Sequence, residues 1–252
     1  MPMVQPVISR SDEFARSSYC RTFFLCERSA GDLPDKMGNA SMTKFDGNYT
    51  DGEAWANAGW LTTGNSAVTD YMTRVAGAGH AFDCTSRTAI VSMRLKKTTP
   101  GGNETIAGCF TSGSANGGWQ IIATSAGTVQ WQGKPADGGA ASTITIGSSY
   151  NPLDGNARSL CWFIPRDAVS AQMFADGLSA GTSGMSASTR NYDGGRGFSL
   201  GASLAGSAKT AQFASVQVYT IDRDLASLKT QQIAAWMHRY PHLPVPDWLM
   251  LA

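Results

Sequence analysis

Residues 211–240 read AQFASVQVYTIDRDLASLKTQQIAAWMHRY, and the fold turns on the change of period inside them. The first part is rich in β-branched and aromatic residues and reads as one long strand ending near Ile221. Leu228, Gln232, Ile233, Trp236, Met237 and Tyr240 then recur at steps of three and four, which makes one face of a helix starting near Ser227 and ending near Arg239. Asp222, Asp224 and Ser227 each carry a side chain suited to capping it. A helix of about three to four turns is marginal alone, so it must lie against an apolar surface.

Upstream the chain reads as short strands. Ala89, Val91, Met93 and Leu95 point one way and Ile90, Ser92, Arg94 and Lys96 the other, which predicts a half-buried strand. Residues 160–164 are continuously apolar and suit a central strand buried on both faces. Ser125-Ala126-Gly127 predicts a three-residue hairpin loop, and Asp176-Gly177 a tight one. Further strands are expected at 21–26, 105–111, 119–124, 128–132, 142–146, 172–175 and 198–200, whereas 45–80 reads as strand ends and long loops. Turns at intervals of about 10–15 residues mean a sandwich or barrel rather than βαβ units.

Composition narrows the class. Only 15% of the 252 residues are charged and the net charge is +1, so no electrostatic footprint points to nucleic acid or to an anionic membrane. No apolar run of about 18 residues predicts a transmembrane helix. The N-terminal residues lack the pattern of a signal peptide, so synthesis in the cytoplasm without signal-directed secretion is expected. Cys20, Cys26, Cys84, Cys109 and Cys161 are too scattered for a disulfide framework and read as buried thiols, the odd one leaving room for a crosslink between copies. His80, His238 and His242 are not spaced near them as zinc ligands.

Three pieces carry a resemblance. Asp35-Lys36-Met37-Gly38-Asn39 is followed by Phe45-Asp46-Gly47, Met173-Phe174-Ala175 runs into Asp176-Gly177, and Val216-Gln217-Val218-Tyr219 leads through Asp222-Arg223-Asp224-Leu225 to the helix. In that order they resemble the concanavalin A-like, laminin-G-like jelly roll. The resemblance implies an all-β, two-sheet antiparallel jelly-roll sandwich with one C-terminal helix over 35–240. Residues 1–34 would form an N-terminal arm and first strand, and 241–252 a proline-rich extended arm. It also implies a concave face whose rim holds glycans in some members, and calcium in others. Because this fold is widely used on tailed-phage virions, it implies a non-enzymatic structural protein of a virion. That protein would be a capsid decoration or tail-fibre component, with capsid or tail subunits and further copies of itself as partners. A lectin-type carbohydrate-binding module is the alternative, and an unusual glycosidase a third.

Candidate sites follow from residue types. Glycoside hydrolysis needs two carboxyl groups about 5–9.5 Å apart, and Glu13, Glu27, Glu53 and Glu104 are far apart in the chain, so no catalytic residue is expected. Trp55 and Trp60, flanked by Asn48, Tyr49, Asp51 and Asn57, pair flat apolar rings with amide and carboxylate groups, a combination suited to a sugar. Both rings packing against the sheet is the competing reading. Trp119, Trp131 and Trp162 lie in predicted strands and read as core. Apart from calcium among Asp46, Asn48 and Asp51, which are clustered oxygen ligands, no cofactor is expected. Finally, Pro241, Pro244 and Pro246 bar a helix until after Pro246, and the chain then ends on Trp248, Leu249, Met250 and Leu251. These apolar side chains must be buried, either on their own domain or, as the assembly contact, on a neighbouring subunit.

Overall fold

The computed structural model describes residues 17–26, 32–44, 55–56, 60–64, 71–74, 80, 82–109, 117–136, 139–147, 150–166, 170–185, 190–193, 195, 197–202 and 209–251. Fifteen strands occur among them: β1 Cys20–Leu25, β2 Thr43–Lys44, β3 Trp55–Ala56, β4 Trp60–Thr63, β5 Met72–Arg74, β6 Thr88–Lys96, β7 Glu104–Gly108, β8 Gly118–Ala123, β9 Val129–Lys134, β10 Ser142–Ile146, β11 Arg158–Ile164, β12 Ser170–Ala175, β13 Leu178–Gly184, β14 Phe198–Leu200 and β15 Ala211–Ile221. They form a two-sheet antiparallel sandwich. One sheet has eight strands in the order β13-β12-β11-β6-β15-β4-β3, with β1 also paired to β15. The other has seven, in the order β10-β9-β8-β7-β14-β5-β2. A 3-10 turn, Leu225–Ser227, leads to helix α1, Thr230–Arg239, and the chain ends in a short helix α2, Asp247–Leu251. These lie on the outer face of the first sheet, called the covered sheet; among the described residues no helix lies on the second, called the open sheet.

The period-two patterns set this arrangement. Ala89, Val91, Met93 and Leu95 of β6 enter the core between the sheets, while Ile90 points outward to the helix layer. β11 is buried on both faces, with Leu160, Trp162 and Ile164 inward and Cys161 and Phe163 outward. Trp119, Trp131 and Trp162 are fully buried between the sheets, as their strand positions predict. The β12–β13 hairpin turns at Asp176 and Gly177, with φ of 49° and 77°, and Gly127 closes the β8–β9 loop with φ of 77°. All five cysteines are free and buried.

One buried ion pair ties the two sheets together. Asp35 follows β1, and its carboxylate accepts hydrogen bonds from the Phe23 amide of the covered sheet at 3.0 Å and from Arg74 of the open sheet at 2.7 Å. Met37 N and Asn39 Nδ2 complete its shell. Arg74 also donates to Thr22 Oγ1 at 3.0 Å and lies 4.6 Å from the Phe24 ring centroid. Both side chains are inaccessible to solvent. The Asp35 carboxylate is fully bonded while Arg74 Nε finds no acceptor among the described residues, and removing either partner leaves a bare charge in the core.

The helix layer departs from expectation in three ways. Asp222 and Asp224 do not cap α1; both pair with Arg166, Asp224 at 2.6 Å, and the N-cap is Lys229 with no side-chain bond. Ser227 bonds back to the Asp224 carbonyl inside the 3-10 turn. Trp236 is only partly buried, its Nε1 donating to the Pro244 carbonyl at 3.2 Å, while Ile233 and Met237 face the sheet. The largest correction concerns the C-terminal arm. Residues 241–247 do not extend away: Ser17 Oγ donates to the Val245 carbonyl at 3.0 Å, and Asp247 takes both the Ser18 amide and hydroxyl. Gln217 Nε2 donates to the Pro241 carbonyl at 3.1 Å, and the Val245 amide donates to the Tyr219 hydroxyl at 3.0 Å. Leu249 and Met250, expected as assembly contacts, are buried on their own domain, because the outer face of the covered sheet offers Phe163, Tyr219 and Phe23 as unpaired apolar surface. Trp248 and Leu251 stay exposed, at 64% and 48%.

Candidate functional site

β15 changes partner along one edge. β4 pairs with it through Phe213, β1 pairs with it from Ser215 onward, and the register slips between Phe213 and Ser215. The Cys26 amide donates to the Ala214 carbonyl at 2.9 Å and closes the end of β1 onto this bulge. β1 and β4 therefore approach the same edge from opposite ends. A groove of about 610 Å³ opens here, on the outer face of the covered sheet. Its floor holds Leu25, Cys26, Ala214 and Ser215. Trp60, the first residue of β4, forms one wall; the end of α1 and the turn after it form the other, with His238, Arg239 and His242.

Charge converges on this groove. The alternation of β6 puts Arg94 and Lys96 on the outer face, and Arg94 stands opposite Ser215 across the ladder. Its guanidinium is held loosely, donating to Ser159 Oγ at 3.3 Å and the His238 carbonyl at 3.4 Å. The Lys96 ammonium lies 4.1 Å from the Trp60 ring centroid, a cation–π contact. Carboxylates do not line the groove among the described residues. Asp176 stands behind it, its Oδ1 3.7 Å from His238 Nδ1. Burial pushes the Asp176 carboxyl up, but the Ser159 amide, the Tyr150 hydroxyl and the Arg158 guanidinium outweigh burial and hold it below the ordinary carboxylate value.

The outer face of the open sheet offers a different surface. Thr43, Thr73, Ser199, Gly108, Gln120, Gln132 and Thr143 stand opposite one another in one row across the strands. Gln120 Nε2 donates to Gln132 Oε1 at 2.6 Å, and Thr105 Oγ1 donates to Gln120 Oε1 at 3.0 Å. Gly108 interrupts the row at φ of +146°, where a Cβ would lie 2.5 Å from the Trp119 carbonyl oxygen.

Of the residues singled out for sugar contact, Trp60 is at the groove and half-buried. Trp55 pairs with Leu61 at the edge of the covered sheet, and only its backbone is described. Asn48, Tyr49 and Asn57, and the calcium candidates Asp46, Asn48 and Asp51, lie outside the described residues. Among the described residues no group of three His, Cys, Asp or Glu side chains is placed to hold a metal ion. Sequence reasoning missed Arg94, His238, Arg239 and His242 as neighbours of Trp60. The one available signal was the outward phase of Arg94 and Lys96 on their strand.

No protein-family model matches the chain, and no curated protein matches it. Solved structures do. The botulinum neurotoxin serotype D binding domain superposes with a TM-score of 0.64 at 11% identity, covering 89% of this chain and 52% of the other. The serotype D ligand binding domain solved in complex with N-acetylneuraminic acid gives 0.62 at 10%, covering 92% and 52%. The binding domain of Paraclostridial Mosquitocidal Protein 1 gives 0.63 at 12%, covering 91% and 52%. The chain thus spans about half the length of the structures it matches. At such identities the likeness shows the fold: a β-sandwich shared with binding domains.

Proposed function

We propose that this chain is a non-catalytic binding module that holds a glycan in the groove beside Trp60. The observation that carries the reading is the half-buried Trp60 at the wall of a concave site ringed by hydrogen-bond donors from Arg94, His238, Arg239 and His242. An aromatic face for the sugar ring and donors for its substituents are what such a site requires. Glycoside hydrolysis relies on a pair of carboxyl groups, and the lining residues are of other types. The structural neighbours are binding domains, one of them solved with a sugar acid, which supports the same class. A glycan array with the full chain tests it. Binding is expected, and Trp60→Ala should weaken it at least about tenfold. A bound glycan indifferent to that substitution would place the site elsewhere, and an array without signal would remove the reading.

A place on a phage virion is the second reading, and the exposed aromatic patch favours it. Trp248 meets Trp236 edge-on at 6.2 Å, and Trp236 packs on Tyr240 at 4.6 Å, leaving Trp248 and Leu251 open for a neighbouring subunit. Sedimentation of the full chain against Trp248→Ser checks this: an oligomer lost in the variant supports mounting in an assembly, and a monomer in both opposes it.

A further inference from the structure

Four described cations outside the groove each meet a carboxylate. Arg74 meets Asp35 at 2.7 Å, Lys97 meets Glu104 at 2.7 Å, Arg158 meets Asp176 at 2.8 Å and Arg166 meets Asp224 at 2.6 Å. Arg94, Lys96 and Arg239 have no carboxylate partner among the described residues, and all three stand at one place: Arg94 and Arg239 line the groove, and Lys96 caps the Trp60 ring at its wall. His238 and His242 share the wall with Arg239. In a chain with 20 basic and 19 acidic residues, this is a local excess rather than a general one.

We infer that the ligand of this groove is an acidic sugar, one that carries a carboxylate on its ring. The inference rests on the glycan reading above and narrows it to a charge class. The physical reason is desolvation. A neutral sugar filling the groove would strip water from Arg94 and Arg239, which meet no carboxylate among the described residues, and return no charge to them. A carboxylate returns it, and the planar fork of Arg94 can take both carboxylate oxygens at once. Its present bonds, at 3.3 and 3.4 Å, are long enough to yield. The apolar face of the sugar meets the Trp60 ring face that the Lys96 ammonium leaves free. A bare anion would use the guanidinium but not the ring, and a neutral hexose the ring but not the charge.

Calorimetric titration of the full chain distinguishes these cases. The probes are sodium N-acetylneuraminate and sodium glucuronate, with glucose and galactose as uncharged rings and inorganic phosphate as an anion without a ring. The two acids are expected to bind at least about tenfold more tightly than the hexoses. Raising salt from roughly 50 to 500 mM should weaken them, since the pair is partly exposed. Arg94→Gln and Trp60→Ala should each lower acid binding by about tenfold or more. Should Arg94→Gln lose its fold, Arg239→Gln on the exposed helix end carries the same comparison. Equal binding of hexoses and acids through Trp60 overturns the charge inference and leaves the glycan reading standing. Phosphate binding as tightly as the acids, untouched by Trp60→Ala, overturns both in favour of a simple anion site. No heat from any probe overturns both as well.

Discussion

The two sheets share one core and differ on their outer faces. On the covered sheet, Phe163, Tyr219, Phe23 and Ile90 point away from the core and are fully buried, because α1, the arm and α2 lie over them. On the open sheet, Thr105, Gln120, Gln132 and Thr143 satisfy one another across the strands and need no cover. The difference teaches where a site can form. A single layer of mutually bonded amides and hydroxyls offers no concave step. Where a second layer stops short of the sheet edge, its end makes a wall, and sheet side chains such as Arg94 open beside it. The groove is a consequence of incomplete cover.

The largest test of the contrast is alkaline pH, which attacks the apolar interior and leaves the amide row alone. Cys20 and Cys161 lie under the cover, and Cys26 and Cys84 between the sheets. Burial pushes the Cys26 thiol from its ordinary 9.0 up to about 12, and moves Cys20, Cys84 and Cys161 in the same direction. The sign follows. Above pH 9 the unfolded chain has released these protons and the folded chain still holds them. Stability is therefore full below the unfolded value and falls as pH rises, by about 1.4 kcal/mol per pH unit for each thiol still protonated. With four such groups, the near-ultraviolet signal of the buried tryptophans should be lost cooperatively between pH 9 and 12. Retention of that signal through the whole interval would mean that the thiols are not sealed.

Next in size is Phe163→Ala. The ring is fully buried under the cover, edge-on to Phe174 with centroids 5.3 Å apart. Its removal should cost about 3–5 kcal/mol in urea unfolding, as cavity formation at a large core side chain does. A change under about 1 kcal/mol would show that the helix layer is held by its hydrogen bonds and not by this face.

What was legible in the sequence divides along the same line. Patterns that repeat within one strand could be read: the apolar run of 160–164, the turn at Asp176-Gly177, and the two-sided phase of 89–96, although that strand is not half-buried as expected, since Ile90 and Ser92 on its outer side are buried too. The two-residue strands β2 and β3 could not, since two residues carry no period. Pairings across the chain left no local mark. Asp35 meets Arg74 39 residues away, and Asp222 and Asp224 reach Arg166 56 and 58 residues back instead of capping the helix. Trp60 was flagged by residue type, but its groove is completed by His238, Arg239 and His242 from the far end of the chain. The apolar C-terminus announced burial, yet only the outward phase of β11, β15 and β1 together shows where Leu249 and Met250 go.

The smallest effect is expected on the open sheet. Gln132 Oε1 accepts from Gln120 Nε2 at 2.6 Å, and its own amide reaches Thr143 Oγ1 at 3.5 Å. Gln132→Ala removes the acceptor of a nearly buried donor, since Gln120 is 6% exposed. An orphaned donor deep in a core would be costly, but no described helix lies over this face, and Gln132 itself is partly exposed, so water is expected to reach the space the side chain leaves. The loss should therefore be about 0.5–1.5 kcal/mol, the net value of an ordinary hydrogen bond. The paired change Gln120→Leu with Gln132→Leu sharpens the point. Replacing both partners by apolar groups should be nearly neutral in urea unfolding. The resulting apolar strip should appear instead as self-association in light scattering. If Gln132→Ala costs as much as Phe163→Ala, the row is bearing structural load like a buried face, and the contrast between covered and open sheets fails.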